Sequence, residues 1–365
     1  MDDSHFMRKA LAIAERGRGR TSPNPMVGAL VVDGGGVIAG RGVHDVAGGP
    51  HAELFALEAA GARARGATLY CTLEPCSHTG RTGPCAPAVV RAGIRRAVIA
   101  IEDPNPLVLG RGIAHLRAHG VEVTVGVEQQ AASRQNAVFL TTMRCGRPHV
   151  ILKAAVSVDG RLASAPGLRT ALTGAAANRR VQRQRAEVDA IGVGSGTLLI
   201  DDPRLTPRGA YRGRPLTRVV FDRRLRTPCS ARVLSTLDAG PVIIVSTERS
   251  CAAAPDRVHG LRAAGALILV PPADDIGTAL RALREAGVTS LLLEGGAALH
   301  RAALDAAVAD EVHVYITPVA LGPGGVAWME ERRLAWEALG DRRAVWLGED
   351  VLVEGLVQKD VYWNH

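Results

Sequence analysis

Three residues in the first half of the chain have the types and spacing of a zinc site. His51 is followed by Ala52-Glu53, and Cys76 and Cys85 come later with eight residues between them. One histidine and two cysteines suit zinc and leave a fourth position for water, as a catalytic site requires. Zinc would lower the pKa of that water toward neutrality. Glu53 could then carry the water's proton to a leaving group, so the pattern predicts a hydrolytic zinc enzyme.

A closed structural zinc site is the alternative use of the same ligands. It needs a fourth protein ligand, which His44 or His78 could supply. Such a site would leave Glu53 and the long segment between Cys76 and Cys85 without a role. We therefore favour the catalytic interpretation.

The second half carries one lysine inside an apolar run. Lys153 lies within VILKAAVSVDG (150–160), in a chain whose basic residues are nearly all arginine. A compact ammonium group can donate to a ribose oxygen or assist a protonation more readily than a guanidinium. The alternative is a lysine at a strand end that reaches solvent. We favour the catalytic role.

Two glycine-rich segments are candidates for a nucleotide site. GVGSGT (192–197) does not fit the dinucleotide fingerprint, because Thr197 stands where the third glycine belongs and the following LLIDDPRLTPR is interpreted as a loop. LLLEGGAALHRAAL (291–304) fits better, since a strand ends in Glu294-Gly295-Gly296 and a helix begins at once. The free N–H groups of that helix could hold a phosphate. A tight turn without a ligand is the alternative.

The elements that must position these residues alternate between strand and helix. In the first half we predict helices over 4–17, 51–65, 85–93 and 110–119, and strands within 28–40 and over 68–73, 95–102 and 121–126. In the second half we predict strands over 150–160, 188–194, 217–222, 241–246, 266–270, 289–294 and 311–317, helices over 174–186, 276–287 and 297–307, and edge strands in the tail VLVEGLVQKDVY. The alternation is typical of α/β folds. Because the pattern restarts after CGRPHV, we predict two α/β domains, residues 1–146 and 147–365.

The charge and composition of the chain indicate which classes of partner it binds. The net charge of +8 is shared evenly between the two halves, without a basic tail, and only 3% of the residues are aromatic. This favours small phosphorylated ligands and argues against a nucleic-acid groove. No run approaches the ~18 apolar residues of a membrane span. We therefore expect a phosphorylated small-molecule substrate and neither nucleic acid nor a membrane as partner.

The N-terminal segment and the cysteines indicate the cellular compartment in which the protein is located. The first twenty residues read as an amphipathic helix and not as a signal peptide, which predicts a cytoplasmic protein. In a chain of this length without a secretory signal, the six cysteines indicate metal binding or free thiols rather than disulfides.

The zinc pattern resembles the cytidine-deaminase superfamily, whose signature is H-x-E followed by P-C-x-x-C. Here the second part is longer and reads C-S-H-T-G-R-T-G-P-C. With Pro23-Asn24-Pro25, Gly49-Pro50 and Asp103-Pro104-Asn105-Pro106, it is similar to the deaminase domain of bifunctional riboflavin biosynthesis enzymes over most of residues 1–126. The resemblance implies a three-layer cytidine-deaminase-like fold with bound Zn²⁺. It also implies a diaminopyrimidine substrate with a phosphoribosylamino group, contacted by Asn24, His44, His78 and Arg81.

Most of residues 148–330 resembles the reductase half of the same enzymes, which is similar in fold to dihydrofolate reductase. The resemblance rests on Lys153, on Thr197 with Asp201-Asp202-Pro203, on Leu205-Thr206 with Arg208, and on Glu294-Gly295-Gly296. It implies NADPH contacts from Ala155, Thr197, Asp201, Gly296, Ala297, Ala298, Leu299, His300, Arg301 and Ala302. It implies substrate contacts from Arg185, Leu205, Arg208 and Glu294, with the two arginines suited to a phosphate.

One loop departs from the family pattern. Arg169 and Ala171 precede Leu172-Thr173 where the family usually has a serine and a tryptophan. The missing tryptophan removes a flat surface that could pack against the cofactor. We expect an effect on NADPH binding in this loop.

These observations together predict a bifunctional homo-oligomeric enzyme that deaminates the pyrimidine with zinc and then reduces its ribosyl group with NADPH. One rival is a tRNA-type or free-base zinc deaminase with an appended nucleotide-binding domain, which the wide cysteine spacing opposes. Another rival is a non-catalytic zinc-stabilised scaffold, which the presence of Glu53 opposes.

Overall fold

The structure is a computed structural model that describes residues 2–77, 83–329 and 336–357. The chain folds into two compact units, the first ending at Cys145 and the second beginning at Gly146. This division lies one residue before the predicted one. Each unit is built around its own sheet.

The first unit contains a five-stranded mixed sheet. Its strands are β1 (Gly28–Val32), β2 (Ile38–Val43), β3 (Thr68–Cys71), β4 (Arg96–Ile99) and β5 (Glu122–Val125). Its helices are α1 (Asp3–Ala14), α2 (Ala52–Ala60), α3 (Cys85–Arg91), α4 (Arg111–Ala118), α5 (Gln129–Gln135) and α6 (Ala137–Cys145). The strand order is β2-β1-β3-β4-β5, with β1 antiparallel to both neighbours and β3, β4 and β5 parallel. Except for α5 and α6, these elements were predicted.

Glycines allow helices to approach both faces of this sheet. A Cβ on Gly28 would lie 2.1 Å from the carbonyl oxygen of Ala10 in α1, and a Cβ on Gly42 would lie 1.9 Å from that of Ala52 in α2. Gly42 pairs with Ala29, which follows Gly28 and so points to the opposite face. The helices α1 and α2 therefore lie on opposite sides of the sheet, as the predicted three layers require. The first turn of α2 is held directly against β2.

The second unit contains a larger sheet. Its strands are β6 (His149–Ser157), β7 (Arg161–Ala163), β8 (Ala190–Gly194), β9 (Thr217–Phe221), β10 (Val242–Val245), β11 (Ala266–Leu269), β12 (Ser290–Leu293), β13 (Glu311–Thr317), β14 (Val326–Ala327), β15 (Gly340–Leu347) and β16 (Asp350–Leu356). Its helices are α7 (Ala175–Glu187), α8 (Ser195–Asp201), α9 (Glu248–Ala253), α10 (Pro255–Ala263), α11 (Ile276–Glu285) and α12 (Ala297–Asp305). Short 3-10 segments occupy Leu234–Ala239 and Trp336–Ala338.

Nine of these strands form one sheet in the order β11-β10-β9-β8-β12-β6-β13-β16-β15. The strands from β11 to β13 are parallel, and β16 and β15 continue the sheet antiparallel. Side chains of β12 alternate between two cores, with Leu291 and Leu293 in one and Leu292 in the other. Burial on both faces is the reason that these strands read as continuous apolar runs.

Two predictions for the second unit are wrong. The segment after Gly194 is not a loop, because α8 extends from Ser195 to Asp201, and the φ of 39° at Asp202 ends the helix before Pro203. The described part of the tail, residues 351–357, is not an edge strand, because β16 lies between β13 and β15, and β15 forms the edge. Residues 358–362 of the predicted tail lie outside the described residues. The helices α9 and α10 and the strands β7, β14 and β15 were not predicted.

Candidate active sites of the two units

Three elements bring the predicted zinc ligands together. His51 caps the N-terminus of α2, Cys76 follows β3, and Cys85 is the first residue of α3. The Nδ1 atom of His51 lies 3.2 Å from the Sγ of Cys85 and 3.4 Å from that of Cys76. Candidate ligand atoms of all three lie within 4.8 Å of one another. This arrangement fits a zinc ion held by one nitrogen and two sulfurs.

The electrostatics of the trio also suit a metal. A hydrogen bond from the Cys85 thiol lowers the pKa of Cys76 well below its usual range, and the nearby His51 acts in the same direction. The backbone N–H of Cys85 also donates to the Cys76 Sγ at 3.4 Å. Cys76 is therefore ready to bind a metal as a thiolate, the form that zinc requires.

Glu53 lies in the first turn of α2, on the same side as the trio. Its side chain is 3% exposed, and burial raises its pKa to about 7, which the neighbouring His51 partly offsets. Its Oε2 atom has no hydrogen-bond partner among the described residues. A carboxyl group with a near-neutral pKa can both accept and release a proton at physiological pH.

His44 is engaged by neighbours other than the ligand trio. Its Nδ1 lies 3.1 Å from the carbonyl oxygen of Pro50, and its Nε2 lies 3.1 Å from the Nδ2 of Asn24. Its ring packs edge-on against His51, with 5.6 Å between ring centroids, and burial lowers its pKa. With both ring nitrogens occupied, His44 is poorly suited to be a fourth metal ligand. His78 and Arg81 lie outside the described residues.

Glu74 was not given a role by the sequence reasoning. It lies two residues before Cys76, and its carboxylate accepts hydrogen bonds from four backbone N–H groups, three at the start of α4 and one at Asp103. An acidic residue two positions before a predicted ligand was the signal available in the sequence. The donors come from residues 29 to 39 positions away, so spacing alone did not reveal them.

In the second unit, Thr197 and the double glycine meet at the carboxyl ends of β8 and β12. The N–H of Gly194 donates to the carbonyl oxygen of Gly295 at 2.9 Å, which ties the two strand ends together. A Cβ on Gly296 would lie 3.2 Å from the Oγ1 of Thr197. The carboxyl edge of parallel strands is where α/β folds bind ligands. Asp201 lies at the end of α8, where burial raises its pKa and Arg169 acts against this.

The residues from Gly296 to Ala302 form the N-cap and first two turns of α12, and the His300 side chain among them is buried and hydrogen-bonded to other parts of the protein. Its Nε2 lies 3.0 Å from the carbonyl oxygen of Leu293, and its Nδ1 accepts a hydrogen bond from the Trp328 indole at 2.9 Å. Burial lowers its pKa to about 4. Any NADPH contact of His300 would therefore come from its backbone. The other residues of the set are partly or fully exposed: Gly296, Ala297, Ala298, Leu299, Arg301 and Ala302.

Arg185 and Glu294 form a buried ion pair. The Nε and Nη2 atoms of Arg185 donate to the two carboxylate oxygens of Glu294 at 2.6 and 2.5 Å. Burial raises the pKa of Glu294, but Arg185 and the more distant Lys153 and Arg208 outweigh it, so the net shift is downward. The predicted substrate residues Arg185 and Glu294 therefore act as one unit.

The other residues predicted for the reductase site differ in their surroundings. Lys153 lies in the middle of β6, so the alternative of a strand-end lysine is wrong. Its Nζ lies 5.6 Å from the ring centroid of Tyr315 on β13, and burial lowers its pKa. Leu205 packs into the core and could contact a substrate only through its backbone, whereas Arg208 is exposed and Ala155 lies beside Tyr315 in the sheet.

Comparisons with known proteins agree with both units. The family model of the cytidine and deoxycytidylate deaminase zinc-binding region matches residues 1–101, and that of the RibD C-terminal domain matches residues 148–353. The riboflavin biosynthesis protein RibD of Aquifex aeolicus is 37% identical over 96% of this chain and 97% of its own length. That of Escherichia coli is 38% identical over 88% of this chain and 89% of its own.

Solved structures extend the likeness to the fold. RibD of Acinetobacter baumannii superposes with a TM-score of 0.84 at 35% identity, covering 98% of this chain and 99% of that one. A diaminohydroxyphosphoribosylaminopyrimidine deaminase/5-amino-6-(5-phosphoribosylamino)uracil reductase of Thermotoga maritima has a TM-score of 0.81 at 32% identity, covering 96% and 97%. Both predicted fold classes, cytidine-deaminase-like and dihydrofolate-reductase-like, are confirmed. Among the described residues, no helix is both long and apolar enough to cross a membrane. The chain belongs to the RibD family of bifunctional riboflavin biosynthesis enzymes, which join a zinc-dependent deaminase to an NADPH-dependent reductase.

Proposed function

We propose that the first unit hydrolytically deaminates 2,5-diamino-6-(5-phosphoribosylamino)pyrimidinone and that the second unit reduces the ribosyl group of the product to ribityl. The observation that carries this is the convergence of His51, Cys76 and Cys85 beside Glu53, a buried carboxyl with an oxygen left unpartnered among the described residues. The Thermotoga maritima relative bears the names of both activities.

In the deaminase site, His51, Cys76 and Cys85 hold the zinc, whose contribution when bound is to lower the pKa of a water molecule. Glu53 accepts a proton from water and passes it to the amino group, so that ammonia leaves and oxygen takes its place on the pyrimidine.

The substrate of this site is recognised by polar groups around the trio. Asn24 and His44 are already joined to each other, at 3.1 Å, next to the His51 ring. They are therefore placed to contact the pyrimidine. We assign His78 and Arg81 to the same task, with Arg81 near the phosphate, from the family pattern.

In the reductase site, bound NADPH would supply the hydride that reduces C1′ of the opened ribose, and it would be oxidised to NADP⁺. Lys153 provides the proton that the ribose ring oxygen requires, and Glu294 orients the ribose. Arg208 is exposed and binds the 5′-phosphate. The ten residues predicted to contact NADPH, from Ala155 to Ala302, are assigned to the cofactor, His300 through its backbone.

A single assay tests the proposal. The phosphoribosyl diaminopyrimidine is supplied with and without NADPH, and ammonia release and NADPH oxidation are followed. We expect ammonia in both cases and oxidation only when NADPH is present. Cys76→Ser and Glu53→Gln should abolish ammonia release but still oxidise NADPH with deaminated substrate, and only Cys76→Ser should lose zinc. Deamination of tRNA or a free base in place of this substrate would favour the rival function.

The edge of the larger sheet supports the proposal of a homo-oligomer. Strand β15 is exposed on both faces, with Trp346 75% and Val345 44% exposed. An exposed edge strand with apolar side chains invites another strand. We assign this edge to a second copy of the chain. The molar mass measured by light scattering should be that of a dimer or a larger assembly. Trp346→Lys should lower this molar mass, whereas Phe55→Lys on the first unit should leave it unchanged.

The compartment is inferred from the thiols. Cys76 and Cys85 must remain reduced to bind zinc, and the cytoplasm keeps thiols reduced. The cytoplasm is therefore the proposed location. Fractionation of cells that produce the chain tests this directly.

A further inference from the structure

Glu74 is the most heavily hydrogen-bonded acid in the first unit's described part. Its side chain is 3% exposed. The Oε1 atom accepts from the N–H groups of Gly112 and Ile113 at 2.8 and 3.1 Å. The Oε2 atom accepts from those of Gly110 and Asp103 at 3.0 and 3.2 Å. Four backbone donors thus surround one carboxylate.

The donors explain how this acid is buried without a cationic partner among the described residues. Gly110 caps α4, and Gly112 and Ile113 lie in its first turn, where N–H groups have no partner within the helix. The positive end of the helix dipole favours a negative charge at this position. The Glu74 carboxylate therefore occupies the position at the N-terminus of α4 where an anion would bind.

Direct packing of the backbone is a second, independent observation. A Cβ on Gly112 would lie only 1.9 Å from the carbonyl oxygen of Pro75, the residue between Glu74 and Cys76. Only a residue without a side chain at position 112 allows Pro75 to pack directly against the first turn of α4. The segment that ends in Cys76 is held to this helix by hydrogen bonds and by close contact.

From these contacts we propose that Glu74 is a positioning residue that sets the place of the Cys76 sulfur in the zinc site. This inference rests on the proposed role of Cys76 as a zinc ligand. Only one residue separates Glu74 from Cys76, so a shift at the carboxylate is transmitted to the sulfur. The Cys76 carbonyl oxygen accepts from Ala86 at 2.9 Å, which fixes the other side of the ligand.

The principal test is Glu74→Gln in the full-length zinc enzyme. The amide has nearly the same shape, but its NH₂ group cannot accept the two N–H groups that one oxygen held, and it faces them as a donor. We expect zinc affinity, measured by competition with a chelator, to fall about 10- to 100-fold, as for other groups that support metal ligands. The absorption spectrum of the cobalt-substituted protein should also change, since it reports sulfur geometry. Glu58→Gln, an exposed acid on α2, is the matched control and should change neither.

A second variant tests the same contact through packing. Gly112→Ala should displace Pro75 and weaken zinc binding, whereas Gly34→Ala, where a Cβ meets nothing within 4 Å, should not. Reductase activity of the same chains shows that the second unit remains folded.

The outcomes separate this inference from the proposed site. If Cys76→Ser retains zinc, the proposed ligand set has failed. If Cys76→Ser loses zinc while Glu74→Gln keeps wild-type affinity and an unchanged cobalt spectrum, the positioning role of Glu74 is overturned. A Glu74→Gln chain whose first unit does not fold would also overturn it, because Glu74 would then serve the fold as a whole.

Discussion

At the scale of single residues, Arg185 and Arg208 should respond differently to removal. Arg185 is 14% exposed and pairs with Glu294, which is 7% exposed, whereas Arg208 is exposed. Arg208→Ala should raise the substrate KM about tenfold and leave kcat nearly unchanged, since a charge-assisted contact contributes about 1.5–3 kcal/mol. Arg185→Ala should instead destabilise the second unit by about 3–5 kcal/mol, because it leaves Glu294 charged and buried. Steady-state NADPH oxidation and thermal unfolding measure the two effects.

The double variant Arg185→Leu with Glu294→Gln provides the control for the ion pair. It removes both charges, so much of the lost stability should return while activity does not. Equal stability losses in Arg185→Ala and Arg208→Ala would contradict a special role for the pair.

Lys153 should give the reductase an alkaline limit. Burial lowers the pKa of Lys153 below its usual 10.5; Glu294 opposes this shift and Arg185 adds to it. A lysine is charged below its pKa, so a step that needs the ammonium is lost as pH rises through this lowered value. The ring of Tyr315, 5.6 Å from the ammonium, favours the charged form. Tyr315→Leu should therefore move the alkaline limit of kcat to lower pH, by up to about one unit.

Tyr315→Phe is the matched comparison, because it keeps the ring and removes only the hydroxyl that donates to Gln184. Its pH limit should stay close to that of the wild type. Lys153→Met should lower kcat more than it changes KM, and Tyr315→Leu should add little in that background. A pH limit that moves equally in Tyr315→Phe and Tyr315→Leu would rule out an effect of the ring.

At the scale of elements, the contact between β2 and α2 should control the deaminase. A Cβ on Gly42 would lie 1.9 Å from the carbonyl oxygen of Ala52, so Gly42→Ala must push away the helix that begins next to His51 and carries Glu53. We expect a stability loss of about 1–3 kcal/mol in the first unit and a large loss of ammonia release. Zinc content, ammonia release and NADPH oxidation are measured together. Gly34→Ala should change none of them, and an active Gly42→Ala would show that α2 can move without harm.

The sequence predicted elements well wherever apolar periodicity was strong, as in the parallel strands of the second unit. It failed at α8, because Asp201-Asp202-Pro203 gives a turn signal that hides the short helix before it. It also missed β15, whose residues are exposed on both faces and so lack the alternation that identifies a half-buried strand.

The sequence identified the zinc site more completely than it identified the contacts within the reductase site. The zinc trio was readable because ligand types and a local H-x-E spacing identify it. The Arg185–Glu294 pair was not, since its members are 109 positions apart and only the fold brings them together. The same holds for His300. Its position in the helix after the double glycine was predicted, but the hydrogen bonds of its imidazole ring to Leu293 and Trp328 depend on packing.

At the scale of the whole molecule, each unit has its own sheet, and the division falls between Cys145 and Gly146. Both units fall in the size range of independently folding domains. Fragments 1–145 and 146–365 should therefore fold separately. The first should hold one zinc and release ammonia, and the second should oxidise NADPH only with deaminated substrate.

The fragments should also show whether the order of the reactions depends on covalent linkage. If each unit recognises its substrate alone, the mixed fragments should convert the diaminopyrimidine to the ribityl product, with the deaminated intermediate released between steps. Circular dichroism, metal analysis and product chromatography on each fragment and on the mixture provide the measurement. Full-length Cys76→Ser is the control, because it should supply reductase activity without deamination. NADPH oxidation by fragment 1–145, or fragments that fold only when mixed, would contradict the division, since each set of ligands and each core lies within one unit.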